Sequence, residues 1–423
     1  MSGSEPGGRQ GRDIEGLIDE VVRERVSRRE FCARALGLGL TASAVGGLLA
    51  ACGGEPAPTA SPSPPPLSPL DTALPTELRI FNWGTDLPTS VKRGFHEKYG
   101  IGVVEESFET SGLIGFEAMR QKVIADGLDV IVLSDGMVQA FRDSLERVRE
   151  TSTMSAGATS SAAGHSTLQP LHLELLHNLG DVQPLLRNPP YDSSPDGIRY
   201  SVPLQWGATG IAVRTDNVSE TITRWAQLFP PKGSDFRGQI QMLNDARECC
   251  GVALLKNAHS INSTSQDELD EATRDLVDQK PLVIAYDSVN MKRAMVRGVP
   301  LVVCWPNDVI AARRAGVPES DFAFVYPEEG FAVWADTMCI PSGARSPYAA
   351  HLFLDYMCDP RVSAGLVNQT GTFAPFASAA EYVDEQILRL RPAEDQLERS
   401  EIYMWLGEFT MAYERAWAEV KSA

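Results

Sequence analysis

Residues 78–105 read LRIFNWGTDLPTSVKRGFHEKYGIGVVE, and the pattern in this stretch decides the fold class. Its ends, L-R-I-F and I-G-V-V-E, are short apolar segments typical of β-strands. Between them Pro88 suits a first helical turn, and Val91, Phe95 and Tyr99 recur at a spacing of four, which predicts an amphipathic helix. A strand, a helix and a strand in this order indicate parallel strands covered by a helix.

The same alternation continues along the chain. A helix is predicted at 116–125 and a strand, D-V-I-V-L, at 129–133, which extends the pattern into a mainly parallel, helix-covered sheet. A second α/β region starts near Gly207, with strands predicted at 240–243, 282–286 and 300–305, and helices at 266–278, 346–357 and about 400–420. At 423 residues the chain is long enough for two domains.

The charge of the chain narrows the class of partner. The sequence carries 56 acidic and 38 basic side chains, a net charge of −18. Such a surface repels the phosphates of nucleic acid, so we predict no nucleic-acid partner. It is compatible with cationic partners.

The N-terminus carries an export pattern. S-R-R-E-F at 27–31 is followed by a weakly apolar run at 33–51 and by L-A-A-C, which ends at Cys52. The pattern resembles a bacterial twin-arginine signal with a lipobox, so residues 1–51 are predicted to be a signal peptide and Cys52 the lipidated residue. An uncleaved N-terminal membrane helix is the alternative. Both interpretations predict an exported body, periplasmic or at the outer face of the cytoplasmic membrane.

Two stretches are predicted to lie outside any core. Residues 52–76 form a Pro-rich linker that favours extended polyproline II, a semi-stiff spacer between an anchor and a globular body. Residues 151–167 are of low complexity and are predicted to form a surface loop.

Motifs for chemistry are missing from the body of the sequence. It contains no G-x-S-x-G, H-E-x-x-H or phosphate-binding Gly-rich motif, so we predict neither an enzyme nor a cofactor. No Cys or Cys/His spacing predicts a metal site. The cysteines after Cys52 are odd in number, and no disulfide framework is predicted; they are Cys249, Cys250, Cys304, Cys339 and Cys358.

Tryptophans and carboxylates recur where predicted strands end. Each has an ordinary interpretation as a core or turn residue, and Asp245 with Glu248 three residues later fits a helix capping box. Ligands of open α/β sheets, however, lie beyond the carboxyl ends of strands. Tryptophan faces and carboxylates, without Arg or Lys at the same places, suit a primary or secondary ammonium. The candidates are Trp83, Asp86, Ser134, Asp135, Asp245, Glu248, Trp305, Asp308, Trp334 and Asp336.

The body also resembles a known family, the polyamine (spermidine/putrescine) solute-binding proteins of bacterial ABC transporters. The resemblance runs from about residue 78 to residue 423, apart from the loop at 151–167. Its most specific stretches are F-N-W (81–83), Y-S-V-P-L-Q-W-G-A-T-G-I (200–211), N-D-A-R-E (244–248), W-P-N-D (305–308) and E-E-G-F-A-V-W-A-D (328–336).

The resemblance implies the type II periplasmic-binding-protein fold, an α/β fold of two lobes with the ligand cleft between them. Lobe 1 would comprise 77–206 and 331–375, and lobe 2 would comprise 207–330 and 376–423. It also implies ligand residues from both lobes: Trp83 and Ser134 from the first, Asp245, Glu248, Trp305 and Asp308 from the second, and Asp336 on the segment that returns to the first.

Two departures from the family pattern bear on the ligand. Asp86 stands where the family often has Tyr, and Asp135 and Gly136 stand where it often has an aromatic residue. The function that the resemblance implies is a lipid-anchored, monomeric receptor that captures polyamines and delivers them to an ABC permease. The alternative is a binding or sensing lipoprotein for a different solute, cationic or other.

Overall fold

The computed structural model describes residues 69–83, 87–108, 119–120, 122–123, 127–142, 167–193 and 197–423. The predicted signal peptide, the lipidation residue Cys52, most of the Pro-rich linker, Asp86 and nearly all of the loop at 151–167 lie outside these residues. Within the described ranges, every helix is too short or too polar to cross a membrane.

The described strands form two sheets. Their bounds are β1 (Glu77–Trp83), β2 (Gly102–Phe108), β3 (Val130–Ser134), β4 (Ser201–Ala208), β5 (Gly210–Arg214), β6 (Ile240–Met242), β7 (Val283–Tyr286), β8 (Leu301–Cys304), β9 (Phe322–Val325), β10 (Phe331–Cys339) and β11 (Ser400–Ile402). The first sheet has the order β2-β1-β3-β10-β11, and β4 also pairs with β10. The second has the order β7-β6-β8-β5-β9.

The α-helices match most of the predicted positions. They are α1 (Thr89–Tyr99), α2 (described at 135–142), α3 (Pro184–Arg187), α4 (Ala246–Lys256), α5 (Gln266–Gln279), α6 (Met291–Val296), α7 (Pro306–Arg314), α8 (Pro347–Met357), α9 (Pro360–Thr370), α10 (Glu385–Leu388), α11 (Glu394–Leu397) and α12 (Thr410–Ser422). The described residues of the helix predicted at 116–125, which are 119–120 and 122–123, are helical.

The predicted α1 is amphipathic in the expected register. Val91 and Phe95 are buried, and the ring of Phe95 packs edge-on against Phe353 of α8 at a centroid distance of 5.1 Å. Gly100, with a positive φ of 73°, ends the helix in the left-handed conformation that favours glycine. Burial of this face holds α1 and α8 on the first sheet.

The strands from which a parallel sheet was predicted, β1, β2 and β3, pair in parallel as expected. The complete sheets are mixed, because β10 enters the first sheet antiparallel to β3 and β4, and β5 lies antiparallel to β8 and β9 in the second. One prediction of the fold was wrong in detail. The final helix begins at Thr410 and not near residue 400, because residues 400–402 extend as β11 along β10.

We call the first sheet with its helices the first lobe, and the second sheet with its helices the second lobe. The chain passes between them directly from β4 to β5 and from β9 to β10. The C-terminal segment contacts both, since β11 pairs in the first sheet while α12 packs against α4 and α5 of the second lobe. The lobe boundaries drawn from the sequence stay a prediction.

Candidate functional site

Residues of both lobes line a cleft of about 440 Å³. Most of the candidate ligand residues lie beyond the carboxyl ends of strands, because β3, β6 and β8 all end at this cleft. The sequence-predicted site residues that line the cleft are Ser134, Asp135, Asp245, Glu248, Trp305, Trp334 and Asp336.

Of the other three predicted residues, one does not line the cleft and two have side chains outside the described part of the chain. Asp308 lies in the first turn of α7, where its Oδ2 accepts a hydrogen bond from the backbone N–H of Trp305 at 3.1 Å, and it is not among the lining residues. Trp83 is the last residue of β1, and its side chain lies outside the described part of the chain. Asp86 lies outside it altogether.

The second lobe contributes two carboxylates at the start of α4. Asp245 caps the helix as predicted: its Oδ1 accepts from the backbone N–H groups of Arg247 at 2.9 Å and Glu248 at 3.0 Å. Both bonds use one oxygen, and a carboxylate has further lone-pair sites for a ligand. Asp245 is therefore a cap that also lines the cleft.

Glu248 does not close the predicted capping box. Its carboxylate accepts instead from the hydroxyl of Thr209 at 2.8 Å and from the indole Nε1 of Trp305 at 3.1 Å. Burial, with the negative charge of Asp245 beside it, raises the pKa of Glu248 to about 7. Thr209 and Trp305 thus hold the side chain in place. A cation beside Glu248 would favour its ionised form.

The first lobe contributes two more carboxylates. Asp336 on β10 accepts a hydrogen bond from Gln205 Nε2 at 2.8 Å, and burial raises its pKa to about 6. Asp135 accepts from the backbone N–H of Gly136 at 2.9 Å and of Ala335 at 3.3 Å. Burial is the main reason that the pKa of Asp135 rises to about 8, and the nearby charge of Asp336 adds to it.

Two indole rings form an aromatic wall. Trp305 of the second lobe and Trp334 of the first meet edge to face, with centroids 6.2 Å apart and planes at 75°. Trp334 lies against Gly207, where a Cβ atom would come within 2.3 Å of its ring. Gly207, the first glycine in the stretch 200–211, is therefore required by the close approach of Trp334, which also lines the cleft.

Gly207→Ala is expected to displace Trp334 and to lower the free energy of unfolding by about 1–3 kcal/mol, the usual effect of overpacking. Urea denaturation followed by tryptophan fluorescence measures it. Gly343→Ala is the matched control, because a Cβ there meets nothing within 4 Å. Equal stability of the two variants would contradict the close approach.

Sequence reasoning missed several lining residues. Gln205 and Arg247 lie inside stretches that had been singled out, whereas Thr372, Tyr403 and Glu414 carry no local signal. Among the described residues that line the cleft, five carboxylates face one guanidinium: Asp135, Asp245, Glu248, Asp336 and Glu414 against Arg247.

Arg247 corrects the expectation that no cation stands with the carboxylates. Its guanidinium donates to the backbone oxygen of Met404 at 3.2 Å and to Asn262 Oδ1 at 2.9 Å. It also lies 5.0 Å from the ring centroids of Tyr403 and Tyr413. These contacts fasten the C-terminal segment to the second lobe, so the positive charge has partners in the wall of the cleft.

The described residues do not include a group of His, Cys, Asp and Glu side chains that could hold a metal ion. The cysteines in these ranges are buried and free. The cleft offers an excess of carboxyl groups beside aromatic rings, a combination that suits organic cations.

Comparison with known proteins decides the family. Residues 153–395, more than half of the chain, match the family described as "Bacterial extracellular solute-binding protein". The chain belongs to this family. A relative of this solute-binding protein, the spermidine/putrescine-binding periplasmic protein of Salmonella typhimurium, is 27% identical over 353 residues, which are 82% of the chain and 91% of the relative. The putrescine/cadaverine-binding protein of Pseudomonas aeruginosa is 24% identical over 324 residues, 74% and 83% of the two chains.

Solved structures agree with the two-lobe fold of this solute-binding protein. A putative spermidine/putrescine ABC transporter protein from Listeria monocytogenes superimposes with a TM-score of 0.65 at 26% identity, covering 82% of this chain and 99% of the other. A spermidine/putrescine substrate-binding protein from Streptococcus pneumoniae gives 0.67 at 23% identity, with the same coverage. The type II fold and the resemblance drawn from the sequence are confirmed.

Proposed function

We propose that this solute-binding protein captures polyamines such as spermidine or putrescine outside the cytoplasm and delivers them to an ABC permease. The observation that carries the proposal is the excess of carboxylates over guanidinium in a cleft lined by three tryptophans, Trp305, Trp334 and Trp405. A polyamine has ammonium groups joined by short apolar chains, and it needs both kinds of partner.

The contacts of the cleft suggest how such a ligand is held. Asp336 from the first lobe and Glu248 from the second are buried or half-buried carboxylates whose own donors fix their orientation. Charge-assisted bonds from ammonium groups contribute about 1.5–3 kcal/mol each. Trp305 and Trp334 offer ring faces to the methylene chain and to the charge, for about 0.5–2 kcal/mol each.

The distribution of carboxylates between the lobes explains why a cationic ligand would favour closure of the cleft. Asp135 and Asp336 belong to the first lobe, and Asp245 and Glu248 to the second. Each pair of like charges is unfavourable alone, and a cation between the lobes is attracted to both. Ligand therefore favours the arrangement that brings all four carboxylates together, which is differential binding to the closed state.

The remaining parts of the proposal rest on the sequence and on relatives. The names of the Salmonella and Pseudomonas relatives refer to polyamines, which supports the ligand class. The twin-arginine and lipobox pattern supports export and lipid attachment at Cys52, with the Pro-rich segment as a spacer. We propose that the protein acts as a monomer tethered at the membrane surface.

The deciding experiment is a calorimetric titration of residues 69–423, purified free of bound amine, with spermidine and then putrescine. We expect saturable binding of one ligand per chain that weakens as salt is raised, because charge attraction dominates. γ-Aminobutyrate, whose carboxylate would face the same acidic wall, is the control ligand and is expected to give no heat. A folded sample that binds neither polyamine would overturn the proposal.

A further inference from the structure

An arginine of the second lobe reaches the end of a helix in the first. Arg314, the last residue of α7, donates from Nη1 to the backbone oxygen of Gln369 at 2.7 Å and from Nη2 to that of Asn368. Both oxygens belong to the last turn of α9, where carbonyls have no partner within the helix and carry the negative end of its dipole. The guanidinium therefore caps a helix of the other lobe.

The two helices also touch directly at this point. Gly371 follows α9 with a φ of 86°, and a Cβ there would lie 3.0 Å from the Cβ of Ile310 and 3.1 Å from the Cα of Asn307, both on α7. Glycine is thus required for the backbone conformation and for the approach of α7. The end of α9 and the first turns of α7 form a fitted contact between the lobes.

The same contact adjoins the cleft. Thr370 and Thr372, on either side of Gly371, line the cleft together with Asn307 of α7. The hydroxyl of Thr372 donates to Gln205 Oε1 at 2.9 Å, and Gln205 in turn donates to Asp336. Separation of α7 from α9 would open this wall of the cleft and leave the Thr372–Gln205–Asp336 hydrogen bonds within the first lobe. Arg314 itself is exposed and does not line the cleft.

We propose that Arg314 is a positioning residue, a latch that favours the closed arrangement of the lobes without touching the solute. The latch is defined as the guanidinium of Arg314 with the carbonyl oxygens of Asn368 and Gln369. Because it acts on the equilibrium between open and closed lobes, it scales the apparent affinity by the closed fraction for every solute alike. The inference rests on the proposed function only in using polyamines as the probe ligands.

The variant Arg314→Gln removes the charge and the two-pronged donor and leaves a shorter, neutral polar side chain. We expect it to weaken spermidine and putrescine binding by the same factor, about threefold to tenfold, and to leave their ratio unchanged. The loss should appear in the dissociation rate measured by stopped flow. Arg314→Lys, which keeps a cation but not the two-pronged donor, is expected to fall between wild type and Arg314→Gln.

Arg297→Gln is the matched control, because Arg297 is an exposed arginine at the end of α6 in the same lobe and lines a separate groove. It is expected to bind both polyamines like wild type. An equal loss in this control would make the effect one of overall charge, and an altered ratio of spermidine to putrescine in Arg314→Gln would make Arg314 part of the binding site. Either result overturns the latch, as does unchanged affinity.

Small-angle X-ray scattering of the ligand-free proteins supplies a readout that needs no solute. Arg314→Gln is expected to have a larger radius of gyration than wild type, since its lobes open more often. If wild type binds neither polyamine, the proposed function fails and the scattering comparison alone decides the latch. Equal radii in that case would overturn it.

Discussion

Asp336→Asn is expected to weaken spermidine binding by about 30-fold to several thousand-fold, corresponding to the roughly 2–5 kcal/mol lost when one partner of a buried charge pair is removed. The amide keeps the shape of the carboxylate and its contact with Gln205, but it offers no charge to an ammonium group. Isothermal titration at pH 7.5 measures the change. Binding as tight as wild type would remove Asp336 from the site.

Asp308→Asn is the matched control for this variant. Asp308 has the same chemistry and is also half-buried, but its carboxylate accepts from the backbone of Trp305 and it is not among the lining residues of the cleft. The affinity of this variant for spermidine is expected to stay within about threefold of wild type, since Asp308 does not line the cleft. A loss as large as that of Asp336→Asn would return Asp308 to the ligand residues that the sequence predicts.

The second large effect concerns pH. Affinity for spermidine is expected to rise by about tenfold per pH unit for each proton released, between about pH 5 and pH 8. The reason is that the pKa values of Asp336, Glu248 and Asp135 stand at about 6, 7 and 8, all above the ordinary range of carboxyl groups. These groups are therefore partly neutral in the empty cleft near neutral pH.

A bound polycation stabilises the charged form of each carboxyl group and lowers its pKa, so binding must release protons. The alkylammonium groups of the ligand stay mainly protonated up to about pH 8, so their charge changes little over this window. Titrations at pH 7 in buffers of different ionisation enthalpy give the number of protons directly. Proton uptake, or an affinity that is constant from pH 5 to pH 8, would contradict the assignment of these carboxyl groups to the site.

Local patterns were sufficient for much of the fold. The spacing of Val91 and Phe95 predicted α1 because one face of a helix is a local property, and short apolar runs predicted β1, β2 and β3 for the same reason. The mixed direction of the sheets was not predictable in this way. It depends on β10, which enters between β3 and β4 from far along the chain.

The site residues differ in the same way: those set by local sequence were predictable, and those set by tertiary packing were not. Asp245 was predicted both as a cap and as a candidate ligand, and the structure shows the cap and a place in the cleft wall. Asp308 illustrates the limit, because at the third position of α7 its carboxylate turns back to the backbone of Trp305, as helix-capping geometry favours.

Glu414 could not have been found locally, since only the packing of α12 on the second lobe brings it to the cleft.

The position of β10 in the first sheet also has a consequence for the order of folding. All strands of the second sheet lie within one continuous stretch, from Gly210 to Val325, so that sheet can form from local chain. The first sheet lacks β10, the strand that joins β3 to β4 and β11, until residue 339 has been synthesised, and closing that long loop is entropically slow. The first lobe therefore completes its sheet last, although its first strand is the earliest in the chain.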